Sequence, residues 1–362
     1  MSDQIQHFEV NAFTIPTETP ESDGTAEWAS TTLVLVRLRA QGSSGLGYSY
    51  AHECCAPFIR KTLFPILRGK GIFDVALLWR EMNIAARNFG RNGIPSSAIA
   101  AVDAALWDLK ARVVGISAVK LMGAVRENIP VYGSGGFTSY SEDQLCRQLE
   151  GWAAEDISMV KMKIGREPPK DASRVAAARH AIGGETGLFV DANGAYTVKE
   201  SLEKSGFFEE QNVTWFEEPV SAENLPGLQF IREHTQLEIA AGEYNYDLRQ
   251  ARAMCEAASV DVLQADATRC GVTGFLQMAA LCEAFEMPLS AHAAPAIHAH
   301  LCCAVNRARH VEYFFDHVRI EQMLFEGATI RHEHGRLRPD PASPGWGLEF
   351  KTKEAAKFLV NI

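Results

Sequence analysis

Apolar and polar positions change rhythm about a third of the way along the 362-residue chain. In the first part the signals are mixed. Residues 31–40, TTLVLVRLRA, alternate and are β-branched, which predicts a half-buried strand. GSSGLG (42–47) follows as a turn, and a helical stretch lies near 74–90. SSAIAAVDAALWDLKARVVG (96–115) carries Ser at the expected N-cap, apolar residues at helical spacing and Gly115 where the helix should stop. Segment 15–28 is polar and Pro-rich, which predicts a loop able to cover something. These signals predict an α+β unit over residues 1–126.

From Ile129 short apolar runs alternate with longer helical windows. The runs are IPVYGSG, ISMVKMKIG, GLFVDANG, VTWFEEP, EIAAGE, VDVLQAD, MPLSAH and HVEYFF. Eight strand candidates, most followed by an amphipathic segment, predict a closed parallel α/β barrel of the (β/α)7β TIM type over 127–325. The tail, 326–362, is expected to fold back and complete the first domain.

Composition narrows the function classes. An apolar fraction of 47% excludes disorder and fibrous architectures. Net charge is −10 with no Lys/Arg run that would track a phosphate backbone, so nucleic acid is not an expected partner. An anionic small molecule then needs local positive charge from a metal or Lys. The N-terminus lacks a signal peptide's basic flank and apolar core, and no stretch reaches the roughly 18 apolar residues of a membrane span. A cytoplasmic protein without a membrane partner is expected. The eight cysteines show no CxxC spacing and read as reduced, buried thiols.

The chemistry lies where the runs end: Lys161 and Lys163, Asp191 and Asn193, Glu217, Glu243, Asp266, His292 and Glu312. Any one of these carboxylates alone is more simply a helix cap. Asp191, Glu217 and Glu243, however, are spaced 26 and 26 residues apart (217 − 191, 243 − 217), one βα unit each. Three carboxylates on successive strand ends repel unless a hard cation sits between them, and oxygen ligands in that arrangement suit Mg2+ rather than zinc. Lys163 alone would read as a solvated strand-end residue. Sharing a face with Lys161, with Asp191 on the neighbouring strand, it is expected to have its pKa lowered toward the working range of a base by that like charge together with the metal. His292 alone would be a satisfied buried histidine, but Asp266 lies one βα unit earlier (292 − 266 = 26) and would fix its tautomer. His298, His300 and the HEH of 332–334 have no third ligand at suitable spacing and read as packing or surface residues.

VKMKIG, FVDANGAYT, WFEEPV, AAGE, QADATRCGVTG and the late SAH together resemble the barrel of the mandelate racemase subgroup of the enolase superfamily, and SAVDAALWDLKAR resembles the helix that enters that barrel. The resemblance covers nearly the whole chain. It implies Asp191, Glu217 and Glu243 as Mg2+ ligands, Lys163 as the base on one face, His292 with Asp266 as the acid/base on the other, and Glu312 on the substrate carboxylate. Lys161 would help stabilise the dianion formed when the proton alpha to that carboxylate leaves. Asn193 is a substrate-side candidate, though an Asn before Gly194 is equally a turn residue. The polar stretch GLGYSYAHECC (45–55) adds Tyr48 and His52 as substrate-binding candidates and suits a polyhydroxylated acid better than an aryl one.

The function expected is dehydration of a sugar acid to a 2-keto-3-deoxy acid. The alternatives are a racemase or epimerase of a 2-hydroxy acid, and a non-catalytic metal-binding barrel, which the presence of Lys163, His292 and Asp266 together disfavours. The expected partner is a small carboxylate, and a homo-oligomer is expected because capped barrels often associate.

Overall fold

The computed structural model describes residues 3–327 and 331–361. Strands β1 (His7–Ser22), β2 (Glu27–Ala40) and β3 (Ser43–Tyr50) form an antiparallel sheet in that order. The 15–28 segment is thus not a loop. Its residues extend the β1–β2 hairpin, with Glu21 opposite Trp28 across a register shift after Pro16, and only 23–26 turn. The Pro-rich composition misled because Pro16 and Pro20 sit on an edge strand, where a missing N–H costs no ladder bond.

GSSGLG is not a turn either. The β2–β3 reversal needs only Gln41 and Gly42, both at positive φ (52° and 79°), as a two-residue hairpin demands. Gly45 and Gly47 instead let β3 lie directly on the backbone of helix Ile94–Val114, where a Cβ would collide with Leu109 and Ala105. That helix starts two residues before the expected Ser, behind Gly93 with Pro95 in its first turn, and stops at Gly115 in the left-handed conformation. Helix Val75–Ala85 completes this layer.

The eight expected barrel strands all form: β4 (Ile129–Gly135), β5 (Met159–Lys163), β6 (Gly187–Asp191), β7 (Val213–Glu217), β8 (Glu238–Ala241), β9 (Val262–Ala265), β10 (Leu289–Ala291) and β11 (Ala308–Phe314). They are parallel in chain order, and β11 pairs with β4 to close the barrel. Each is followed by a helix, including the last, Phe315–Leu324. The barrel floor is apolar and aromatic: Tyr132, Phe189 and Trp215 pack with Ala240 and Val262. No helix among the described residues is long and apolar enough to cross a membrane.

The tail ties the two layers together. Arg336–Leu337 pairs with β4, Trp346 N–H donates to Asp108 on helix Ile94–Val114 at 2.7 Å, and Val360 N–H donates to Ala12 of β1 at 2.9 Å.

Candidate active site

Parallel pairing sets the site. Lys163 lies level with Asp191, and Asp191 level with Glu217, because β5, β6 and β7 pair in that register. Glu243 follows β8 through Gly242, whose φ of 130° and close approach to the Gln264 carbonyl leave no room for a Cβ. Ligand-capable oxygens of Asp191, Glu217 and Glu243 all lie within 4.8 Å of one another, and all three residues are buried. Oxygen donors alone, and a Glu243 Oε2 buried without a hydrogen-bond partner, are what a hard divalent ion fits.

Two lysines face this cluster. Lys161 Nζ donates to Glu217 Oε1 at 2.5 Å, lies 2.8 Å from Glu312 Oε1, and stands over the Tyr132 ring at 5.3 Å. Lys163 Nζ donates to Asp191 Oδ2 at 2.5 Å. From the protein's own groups alone, without the metal charge on which the expected lowering also counted, Lys163 is held the other way. Burial and Lys161 pull the Lys163 ammonium down, but the carboxylates of Asp191, Glu217 and Glu243 together outweigh both and its pKa is raised. Like-charge proximity to Lys161 was a weaker effect than an opposite charge in contact. The Glu217 carboxyl is pushed up to about 8, first by burial and then by Asp191.

On the other side, His292 Nδ1 pairs with Asp266 Oδ2 at 2.9 Å, which leaves Nε2 turned to the carboxylates, 3.3 Å from Glu243 Oε2 and 3.7 Å from Glu312 Oε2. Burial opposes a charge on the ring, but Glu243, Glu312 and the Asp266 bond together raise its pKa. Asp266 is itself held by the backbone N–H and hydroxyl of Thr268, both at 2.7 Å. Glu312 accepts from Ser134 Oγ at 2.6 Å and from Ala293 N–H at 2.9 Å.

The predicted residues therefore converge, with exceptions. Asn193 has φ 47°, its N–H donates to Asp191 Oδ1 at 2.9 Å, and its carbonyl accepts from Thr25 Oγ1, so it serves the turn that aims Asp191. Tyr48 is not brought to the site. It is fully buried, and its hydroxyl is committed to Glu321 Oε1 at 2.6 Å, because β3 turns alternate residues into the interlayer core. His52 is exposed and accepts from the Cys54 N–H, with no contact to the cluster. His298 bridges the Ala267 N–H and the Ala293 carbonyl, and His300 donates to the Trp346 carbonyl.

Sequence reasoning missed three residues. Arg269, in the QADATRCG motif, donates to the Glu243 carbonyl at 2.8 Å and to its Oε1 at 3.2 Å, and so aims a metal-facing carboxylate. Glu218, the second Glu of WFEEP, is buried at φ 38° with Oε1 unpartnered, its carboxyl raised by burial and by Glu243. His317, discussed below, stands beside the His292 loop. Arg269 and Glu218 sat inside motifs already noticed; His317 carried no spacing signal.

The sequence model described as Enolase C-terminal domain-like matches residues 144–355, and that of the mandelate racemase/muconate lactonizing enzyme N-terminal domain matches 9–123. A mandelate racemase/muconate lactonizing enzyme-like protein from Rubrobacter xylanophilus is 47% identical, with a TM-score of 0.96 over 99% of this chain and 100% of that one. L-talarate/galactarate dehydratase of Salmonella typhimurium is 28% identical over 86% of this chain and 82% of its own. Its structure liganded with Mg and L-lyxarohydroxamate superposes with a TM-score of 0.90 at 26% identity, covering 99% of this chain and 94% of that one. The 3,6-anhydro-alpha-L-galactonate cycloisomerase of Streptomyces coelicolor is 30% identical over 85% of this chain and 88% of its own.

Proposed function

We propose, from the premise that the chain belongs to the mandelate racemase/muconate lactonizing enzyme family of the enolase superfamily, that it is a Mg2+-dependent lyase that dehydrates a sugar acid to a 2-keto-3-deoxy acid. One observation carries this reading: a buried carboxylate triad flanked by Lys163 on one side and the His292–Asp266 pair on the other.

When bound, Mg2+ would be held by Asp191, Glu217 and Glu243 and would supply positive charge against the dianion that forms as the alpha proton leaves. Lys161, held against Glu217 and Glu312, places a second positive charge beside the substrate carboxylate. Lys163, in its neutral amine form, removes the proton alpha to that carboxylate from its side. His292, oriented by Asp266 with Nε2 directed inward, hands a proton to the β-hydroxyl, which leaves as water. The resulting enol takes up a proton at the β carbon as the 2-keto group forms. Glu312, fixed by Ser134 and the Ala293 N–H, meets the substrate carboxylate from the β11 side.

Proton-transfer groups on two sides also serve racemisation of a 2-hydroxy acid, which is the second reading. Incubation with Mg2+ and a library of mono- and diacid sugars, read by a carbonyl reagent and repeated in deuterated water, separates the two. A keto product supports dehydration, and deuterium incorporation without it supports racemisation. Neither signal from any acid sinks both. The same reading takes the protein to be a homo-oligomer, supported by the exposed Phe73, Leu77, Ile84 and Phe89 within one short stretch. Light scattering that returned the monomer mass would remove that part.

A further inference from the structure

The loop after β10 is unusual. Ala293 and Ala294 are consecutive non-glycine residues at positive φ, 52° and 38°, a conformation that costs free energy unless neighbours hold it. Three of its N–H groups are held by side chains from one short segment. Ala293 donates to Glu312 Oε2 at 2.9 Å, Ala294 to His317 Nδ1 at 3.4 Å and Ala296 to Glu321 Oε2 at 3.0 Å. Glu312 belongs to the proposed site and Glu321 is sealed against Tyr48, so His317 is the member without an assigned task.

Its ring is fixed on several sides. Tyr50 of β3 stacks on it at 3.4 Å between centroids with 10° between planes, and Phe314 meets it edge-on at 5.0 Å. The helix that carries it, Phe315–Leu324, is pinned to the capping layer. Thr31 donates to Asp316, Arg319 donates to the Pro16 carbonyl at 2.7 Å, and Tyr48 donates to Glu321. Because Nδ1 accepts the Ala294 N–H, the neutral imidazole carries its proton on Nε2. Among the described residues that Nε2 has no hydrogen-bond partner, yet it is not sealed from solvent. The charges that bear on the ring are those of the proposed site: His292, Asp266, Glu312 and Arg269. Burial keeps it neutral by lowering its pKa to about 3, with His292 adding to the effect.

A rigid, uncharged N–H donor beside His292, clamped between barrel and cap, differs from Lys161, Lys163 and Glu312, which are charged and paired with an opposite charge. We propose that His317 is a specificity residue whose Nε2–H donates to a hydroxyl of the substrate beyond the two reacting carbons, with Tyr50 as the positioning residue that holds its plane. The proposal rests on the sugar-acid reading of the same site. It makes the hydroxylated tail, not the carboxylate, the part that His317 reads. A site built to satisfy a substrate hydroxyl discriminates strongly against the analogue lacking it, because the donor is then left unpaired.

The test pairs binding with turnover. Wild type, His317→Phe and His317→Gln, each with Mg2+ and each checked for an unchanged melting profile, are titrated calorimetrically with five- and six-carbon sugar acids and with their counterparts deoxygenated at C4 or C5. The same acids are then assayed for kcat and KM. Wild type should prefer a hydroxylated acid over its deoxy counterpart by tenfold or more. His317→Phe should erase that preference, chiefly in KM, while binding the deoxy acid as wild type does, and His317→Gln, which keeps an N–H, should restore part of it. Equal losses on both acids, or an unchanged preference, overturn the proposal. So does a wild type that does not distinguish the two. Binding discrimination that depends on His317 without any keto product would leave this inference standing and remove the dehydratase reading; turnover with discrimination indifferent to His317 would do the reverse.

Discussion

Asp266 and Lys163 show how differently two buried charged residues are placed. Asp266 receives two hydrogen bonds from Thr268 and one from His292, and the bond and charge of His292, with Arg269 behind them, hold its carboxylate well below the ordinary range despite burial. Replacing it with Asn keeps the shape but presents an amide to Nδ1, and the wrong tautomer of His292 becomes accessible. Asp266→Asn is expected to lower kcat by about 10²–10⁴-fold with KM little changed. Steady-state kinetics on the acid found by the screen check this. Lys163→Ala and His292→Asn should each remove one proton transfer. In deuterated water each variant is expected to lose exchange from its own side while still binding Mg2+. Full turnover by both variants would show that neither is the base or the acid.

At the scale of elements, the β1–β2 hairpin and the helix after β11 decide how the cap meets the barrel. The hairpin tip sits directly on the ends of β5 and β6. A Cβ at Gly24 would collide with the Ala192 carbonyl and come within 2.8 Å of the Ile164 carbonyl. Thr138 N–H donates to Ser22 at 2.8 Å, and Arg166 donates to Glu27 at 2.9 Å. Gly24→Ala should therefore lift the tip off Asp191's neighbour, raising KM and admitting water, with little change in melting temperature because few core contacts are lost. An unchanged KM would mean that the tip plays no part in covering the site. Tyr48→Phe acts on the second element. It leaves a buried Glu321 oxygen without its donor, which costs about 1–3 kcal/mol. A drop in the urea midpoint without a change in m-value would register that loss.

For the whole molecule, buried acids set a pH dependence. The Glu321 carboxyl is pushed up to about 8 by burial, against the pull of Tyr48 and the Ala296 N–H, and Glu21 is pushed up to about 8 by burial with Asp316 adding to it. Each holds a proton in the folded state that the unfolded chain releases above its ordinary value of 4.5. Their contribution to stability is thus complete below 4.5 and is lost as pH rises toward about 8. Between about pH 5.5 and 7 the loss should be about 1.4 kcal/mol per pH unit for each group, falling off as pH approaches about 8. Glu321→Gln should flatten part of that slope in a series of melting curves, and a parallel slope in the variant would refute the assignment. Removal of divalent ions by a chelator should abolish turnover. Readdition of Mg2+ should raise the melting temperature of the wild type but not of Asp191→Asn, since ligand that binds only the folded state stabilises it.

The sequence by itself determined the barrel, because eight apolar runs with helical windows between them have few other ways to bury both faces. It also determined the triad and the His292–Asp266 pair, because a regular βα repeat turns equal spacing into shared position at one barrel end. What it could not determine depended on contacts between segments distant in the chain. Tyr48, Tyr50 and His52 looked equivalent as a polar stretch. Only the packing of β3 against helix Phe315–Leu324 buried Tyr48 on Glu321, stacked Tyr50 on His317 and left His52 in solvent. The glycines of GSSGLG read as a turn because close approach of a helix backbone leaves no local mark. How strongly Asp191, Glu217 and Glu243 together hold the Lys163 ammonium was decided by the structure, since electrostatics in a buried site follow distance in space and not spacing along the chain.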